Sequence, residues 1–248
     1  MSAPVPLIAG NWKMNGLGAD LDEARAIAAG VGGVAARVAL CAPATLVERM
    51  SRALAGTHVL VGGEDCHAAA SGAFTGDVSA EMLADAGARL VIVGHSERRA
   101  GYGETDAVVA AKAQAALRAG LEPIVCVGET LEQRKAGAAL PVVEAQVRGS
   151  LPAELAATPF AVAYEPVWAI GTGLTPSTVE IEEVHRAIRA VLVDMFGAHG
   201  KATPILYGGS VKPTNAGEIL HAAEVGGALV GGASLKAKDF LGIIEGMG

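Results

Sequence analysis

The chain has 248 residues, 51% of them hydrophobic and 4% aromatic, and a formal charge of −7. No basic run exists that could neutralise a series of phosphates, which argues against a nucleic-acid binder and leaves any anionic ligand dependent on local cations or backbone donors. Cys41, Cys66 and Cys126 are odd in number, widely spaced and without a CxxC pair, so neither a disulfide framework nor a structural zinc site is expected, and a reducing cytoplasmic setting fits.

No positive leader precedes the first apolar run, and no uninterrupted apolar stretch reaches ~18 residues, so neither a signal peptide nor a membrane span is expected. In chain order, short apolar runs fall at Val5–Ala9, Arg37–Ala42, Val59–Gly62, Leu90–Val93, Pro123–Val127, Phe160–Ala163, Ile205–Tyr207 and Ala228–Val230. Segments of helical period lie between them, among them Ala19–Ala29, Thr45–Leu54, Asp106–Ala119, Val142–Leu155, Thr178–Phe196 and Asn215–Ala223. Runs that are apolar on both faces and separated by helices point to a parallel sheet covered by helices. Eight such units in one chain of this length predict a single α/β domain over residues 1–248, a closed (β/α)8 TIM barrel of eight parallel strands. Thr178 with Ile181, after Pro176, is expected to start a helix rich in glutamate in its first turns, and Gly197 to end it.

Gly30-Val31-Gly32-Gly33-Val34-Ala35 matches GxGxxA only formally, because it follows a helix and precedes a strand, the reverse of a dinucleotide site. In a barrel, groups just after each strand converge on the C-terminal rim. That rule gathers Asn11 and Lys13 after strand 1, His95 and Glu97 after strand 4, and Glu165 after strand 6. Gly208-Gly209-Ser210 and Gly231-Gly232 follow strands 7 and 8, where glycine turns into helices can offer N–H groups to a phosphate. Taken singly, each has an ordinary explanation: a loop lysine, a helix-capping histidine, a first-turn glutamate, a turn glycine. Cys126 reads as a small core residue. Jointly, a carboxylate, an imidazole, a lysine and a phosphate cradle without a metal cluster suit proton abstraction beside a carbonyl, with donors meeting the oxyanion.

Gly10-Asn11-Trp12-Lys13-Met14-Asn15, Val93 to Arg99, Tyr164 to Gly173, Tyr207 to Val211 and Gly231 to Leu235 together resemble the triosephosphate isomerase family from end to end. The resemblance implies interconversion of dihydroxyacetone phosphate and D-glyceraldehyde 3-phosphate through an enediolate, without cofactor or metal. It implies Glu165 as the proton shuttle, neutral His95 as the donor to the oxyanion, and Lys13 and Asn11 as polar contacts. Glu97 would pair with the site lysine. Gly171, Ser210, Gly231 and Gly232 would grip the phosphate by backbone donors, beneath a lid over residues 166 to 173. A homodimer is implied as well, since Ala73 to Ser79 resembles the loop that carries Thr75 to the neighbouring subunit's active-site edge.

Two departures stand out. Leu174 occupies a position where a lysine is common, and Val225-Gly226-Gly227 lacks an acid that the family often supplies, which leaves Arg189 expected to be without its partner. A non-catalytic phosphosugar-binding barrel is the alternative reading, and it would require decay of Lys13, His95 or Glu165. All three are present.

Overall fold

Eight parallel strands close into a barrel in chain order in the computed structural model, which describes residues 5–170 and 174–248. They are β1 (Leu7–Asn11), β2 (Arg37–Cys41), β3 (Val59–Gly63), β4 (Leu90–Val93), β5 (Glu122–Val127), β6 (Ala161–Tyr164), β7 (Ile205–Tyr207) and β8 (Gly227–Val230). Closure is made by β8 pairing with β1. Helices α1 (Leu21–Gly30), α2 (Ala44–Ala53), α3 (Ala80–Asp85), α4 (Ser96–Tyr102) and α5 (Asp106–Arg118) join the first five strands. The rest are α6 (Leu131–Lys135), α7 (Ala139–Ser150), α8 (Thr178–Ala202), α9 (Ala216–Leu220) and α10 (Ala237–Glu245).

The continuous apolar runs are explained by two cores reached from opposite faces of each strand. Leu7, Ala9, Ala39, Cys41, Leu90, Ile92, Ile124, Cys126, Ala161, Ala163, Leu206 and Leu229 form one buried cluster. The alternate positions, including Ile8, Val38, Leu40, Val91, Val93, Val125 and Val162, join helix residues such as Ile27, Met50, Val109 and Ile188 in the other. All three cysteines are buried and free. Burial pushes the Cys126 thiol well above its ordinary range, which makes it a core residue without nucleophilic character.

Several local expectations shift. The first strand runs from Leu7 to Asn11 rather than over Val5–Ala9, because Pro6 cannot donate to a ladder and pairing starts with Leu7 N–H on Gly226 O. Asn11 is thus the last residue of the strand, opposite Cys41. The expected Val142–Leu155 helix is divided at Pro152 into α7 and a short 3-10 turn, Ala153–Ala157. The cap of α8 is Ser177 and not Thr178: Ser177 Oγ accepts from Glu180 N–H while the Glu180 carboxylate accepts from Ser177 N–H at 2.8 Å, a reciprocal box. Gly197, at φ 56° and ψ −125°, interrupts α8 where a stop was expected, although a further turn carries the helix to Ala202.

Arg189 is not without a partner. Its Nε donates to Glu224 Oε2 at 2.8 Å, and its Nη1 donates to the carbonyls of Gly200 and Thr203 at 2.6 and 2.7 Å. The carboxylate comes from just before the Val225-Gly226-Gly227 stretch, and the left-handed backbone of Glu224, φ 65°, accompanies that placement. Glu224 thus supplies the carboxylate that the Val225-Gly226-Gly227 stretch lacks.

Candidate active site

The C-terminal end of β1 delivers two polar groups. Asn11 is buried, and its Oδ1 accepts the Lys13 N–H at 3.1 Å, which stabilises Lys13 in a left-handed backbone conformation (φ 54°) that non-glycine residues seldom adopt. Trp12 between them is buried and anchored by Nε1–H to Ser234 O at 3.2 Å. From this fixed turn the Lys13 Nζ reaches Glu97 Oε1 at 2.6 Å.

His95 follows β4 and caps α4. Its Nδ1 accepts the Glu97 backbone N–H at 3.2 Å, so that nitrogen carries a lone pair and the ring proton is assigned to Nε2. The Nε2–H then faces Glu165 Oε1 at 2.9 Å. Glu165, 1% exposed, also accepts from Ser96 N–H and Ser96 Oγ–H, both at 2.9 Å. Burial by itself would raise this carboxyl, but the His95 ring and the two Ser96 donors outweigh it and hold the group below the ordinary carboxylate range. Glu165 is therefore an ionised carboxylate at neutral pH with its proton-accepting atoms engaged.

The turns after β7 and β8 complete the rim. A cavity of about 320 Å³ is walled by Asn11, Lys13 and His95 on one side and by Ser210, Gly231 and Gly232 on the other, with Ile170 from the lid segment. Gly209 is required here, since a Cβ would lie 2.2 Å from the Tyr207 hydroxyl. Gly231 faces the Lys13 side chain, 3.5 Å from where a Cβ would sit to Lys13 Cε. Lys212 adds a second cation to the wall. Glu165 lies behind His95 and lines a neighbouring cavity with Ser96, Gly128 and Val167.

Asn11, Lys13, His95, Glu97, Glu165, Ser210, Gly231 and Gly232 are thus brought together as the strand-exit rule required. Gly171 lies outside the described residues. Thr75 is exposed in the loop between β3 and α3 and does not line the cavity. Three groups were missed. Ser96 holds the base through two donors, and its signal was its place beside His95 at the first turn of α4. Lys212 follows the β7 turn. Glu129 follows β5 and would have been found by applying the same rule to that strand.

A parallel barrel with a carboxylate, a neutral imidazole and a lysine at its C-terminal rim, and glycine turns after β7 and β8, is a barrel enzyme built for acid–base chemistry on a small anion. The family model for triosephosphate isomerase matches residues 6–247. The chain is 66% identical over 246 residues to the triosephosphate isomerase of Caulobacter vibrioides, covering 98% of this chain and 97% of the relative. It is 62% identical over 242 residues to that of Afipia carboxidovorans, covering 97% and 96%. The solved structure of the Bartonella henselae triosephosphate isomerase superposes with a TM-score of 0.90 at 50% identity over 98% of each chain. The chain belongs to the triosephosphate isomerase family.

Proposed function

We propose that Glu165, His95 and Lys13 carry out this chain's reaction, the interconversion of dihydroxyacetone phosphate and D-glyceraldehyde 3-phosphate through an enediolate. The observation that carries the assignment is the 2.9 Å contact between a buried, ionised Glu165 and a His95 whose only ring proton is on Nε2, at the wall of an anion-sized cavity. A carboxylate and a hydrogen-bond donor on one locus are what carbon-acid chemistry needs.

Substrate phosphate settles against the backbone donors after β7 and β8, at Ser210, Gly231 and Gly232. Glu165 turns from Ser96 toward the substrate, and the Nε2–H of His95 passes from the carboxylate to the substrate carbonyl oxygen. Glu165 then takes the proton from C1 of dihydroxyacetone phosphate, His95 Nε2 gives its proton to the C2 oxygen as that oxygen becomes negative and takes the hydroxyl proton from the C1 oxygen in exchange, and Glu165 returns its proton to C2, which leaves a C1 carbonyl and a C2 hydroxyl. Atoms and electrons balance with proton transfers alone, so the reaction calls for no cofactor. Lys13, steadied by Glu97 and by the Asn11 turn, offsets the negative charge of substrate and enediolate. Removing a positioned base costs ~10²–10⁴-fold in rate.

The large apolar side chains Met14, Phe74, Met82 and Tyr102 are exposed on segments that follow β1, β3 and β4, within the half of the barrel that runs from β1 to β4. They support a homodimer in which the Thr75 loop packs against a second copy, and light scattering at micromolar concentration is its check. Three free buried thiols suit a cytoplasmic location. Solvent deuterium uptake into dihydroxyacetone phosphate tests the chemistry. The wild type is expected to label the substrate and Glu165→Ala to do so far more slowly; equal labelling by both would overturn the assignment of the base.

A further inference from the structure

The ladder between β4 and β5 ends with Val93 opposite Val125. One residue further along, Gly94 and Cys126 offer their carbonyl oxygens to a single guanidinium. Arg99 Nε donates to Gly94 O at 2.9 Å and Arg99 Nη2 donates to Cys126 O at 3.1 Å. The same head group donates from Nη1 to Asp106 Oδ1 at 2.7 Å and from Nη2 to Ser150 Oγ at 2.9 Å, while the Ser150 hydroxyl donates to Asp106 Oδ1 at 3.0 Å. All three nitrogens are occupied in one plane, and only 15% of the side chain is exposed.

What this fork holds together is the frame of the site. Gly94 immediately precedes His95 in a left-handed conformation (φ 68°), and its missing Cβ leaves room for the Val109 methyls, 2.7 Å from where that atom would sit, and for Arg99 Nη2, 3.3 Å from it. On the other side, Cys126 lies opposite Ala163 of β6, and the next carbonyl, Val127 O, accepts the Glu165 N–H at 2.7 Å. The seam therefore separates the strand that delivers His95 and Ser96 from the strand on which Glu165 hangs. A planar fork is the side chain that can meet two carbonyls of neighbouring strands at once; a lysine ammonium is a point charge that replaces at most part of this pattern.

We propose that Arg99 is a positioning residue for the isomerase reaction, its guanidinium standing in for the missing rung between Gly94 and Cys126 and thereby fixing the His95–Ser96 turn against Glu165. The proposal rests on Glu165 and His95 being base and electrophile. Without the fork the β4 and β5 exits splay, and the 2.9 Å contacts from His95 and Ser96 to Glu165 lengthen or lose alignment. The phosphate turns after β7 and β8 lie across the mouth and do not depend on this seam.

The test is the steady-state kinetics of Arg99→Gln and Arg99→Lys in the full chain, with Glu165→Ala in parallel. A misplacement of about 1 Å costs ~10²-fold, so kcat is expected to fall by that order in both arginine variants while KM stays near the wild-type value. The acidic limb of the pH profile of kcat/KM should move to higher pH, because Ser96 no longer meets Glu165 squarely. Free guanidinium, at concentrations that leave the wild type unaffected, should raise the kcat of Arg99→Ala. A lower activity that merely tracks the unfolded fraction, with the acidic limb in its wild-type place, would overturn the proposal, as would a rise in KM at unchanged kcat. If Arg99→Gln does not fold, Arg99→Lys decides by the same readouts. Retained activity in Glu165→Ala would instead refute the catalytic reading beneath it, whereas loss there with wild-type kcat in Arg99→Lys refutes the role of Arg99 alone.

Discussion

The indole Nε1–H of Trp168 donates to Glu129 Oε1 at 2.9 Å, which ties the first turn of the lid segment to a carboxylate with no exposure at the end of β5. The same oxygen accepts from Arg134 Nε at 2.8 Å and from the Tyr164 hydroxyl at 3.1 Å, and Glu129 O accepts the Val167 N–H at 3.2 Å. One buried charge thus organises the entry to the lid, because several donors converge on it and Arg134 supplies the counter-charge.

Glu129→Gln should therefore be costly although it preserves shape. The amide offers a weaker acceptor to three donors and leaves Glu180, 3.8 Å away, as the remaining carboxylate paired with Arg134 among the described residues. A loss of roughly 2–3 kcal/mol in unfolding free energy is expected from hydrogen bonds to charged groups, read from urea titration. Trp168→Phe, which removes a single N–H, should lose about 1 kcal/mol. Equal stability of Glu129→Gln and wild type would show that the cluster is not the anchor described.

The donors on Glu165 set a pH prediction. Burial works to raise this carboxyl, and His95 with Ser96 more than reverses it. A base whose pKa is held low stays competent as pH falls, so the acidic limb of kcat/KM should lie below the ordinary carboxylate range. Ser96→Ala removes one of the two serine donors, keeps the backbone N–H, and should shift that limb toward higher pH with the fold intact. Superimposable profiles for the two proteins would contradict the proposed role of Ser96.

Much of this site was legible because a parallel barrel turns chain position into geometry. Asn11, His95 and Glu165 each follow an apolar run by two residues and Lys13 follows one by four, and eight such runs admit one closed arrangement. Ser96 was not legible as a functional group, since its importance lies in where the side chain of Glu165, 69 positions away, comes to rest. The partner of Arg189 was missed for a different reason. The acid was sought at a fixed place in Val225-Gly226-Gly227, whereas the chain supplies it from Glu224 through a left-handed turn that residue type alone does not announce. Capping by Ser177 rather than Thr178 is the smaller version of the same difficulty, for adjacent hydroxyl residues are equivalent until the backbone has chosen between them.

Glu64, at the exit of β3, provides a stability test with the opposite sign from Glu165. Burial raises its carboxyl to about 8, against a hydrogen bond from the Lys13 backbone, and its Oε1 has no partner among the described residues. The folded protein therefore keeps a proton that the unfolded chain has released, between the ordinary glutamate pKa and about 8. Stability contributed by this group is greatest at low pH and is lost as pH rises through that window. Glu64→Gln should raise the melting temperature, with a gain that grows from pH 5 toward pH 8.5, about the window set by those two values. A constant offset across that range would reject the raised carboxyl.

His185 is buried behind β6, with its ring against the edge of Tyr164 at 5.8 Å between centroids. Its Nδ1 lies 3.2 Å from Glu224 O, which places the proton on Nδ1, and Nε2 has no partner among the described residues. Burial lowers its pKa to about 4, well below the usual 6.5. The unfolded chain consequently binds a proton that the folded protein refuses. This contribution to stability is complete above the unfolded value and drains away as pH falls from 6.5 toward 4, by roughly 3 kcal/mol over the whole window. His185→Leu removes the titration and forfeits one hydrogen bond, so it should be about 1 kcal/mol less stable than the wild type at neutral pH. Near pH 4 the order should reverse, because the wild type alone carries the cost of keeping an imidazole uncharged. Urea unfolding of both proteins at several pH values measures the difference directly, and curves that run parallel from pH 7 to about 4 would refute the buried neutral histidine.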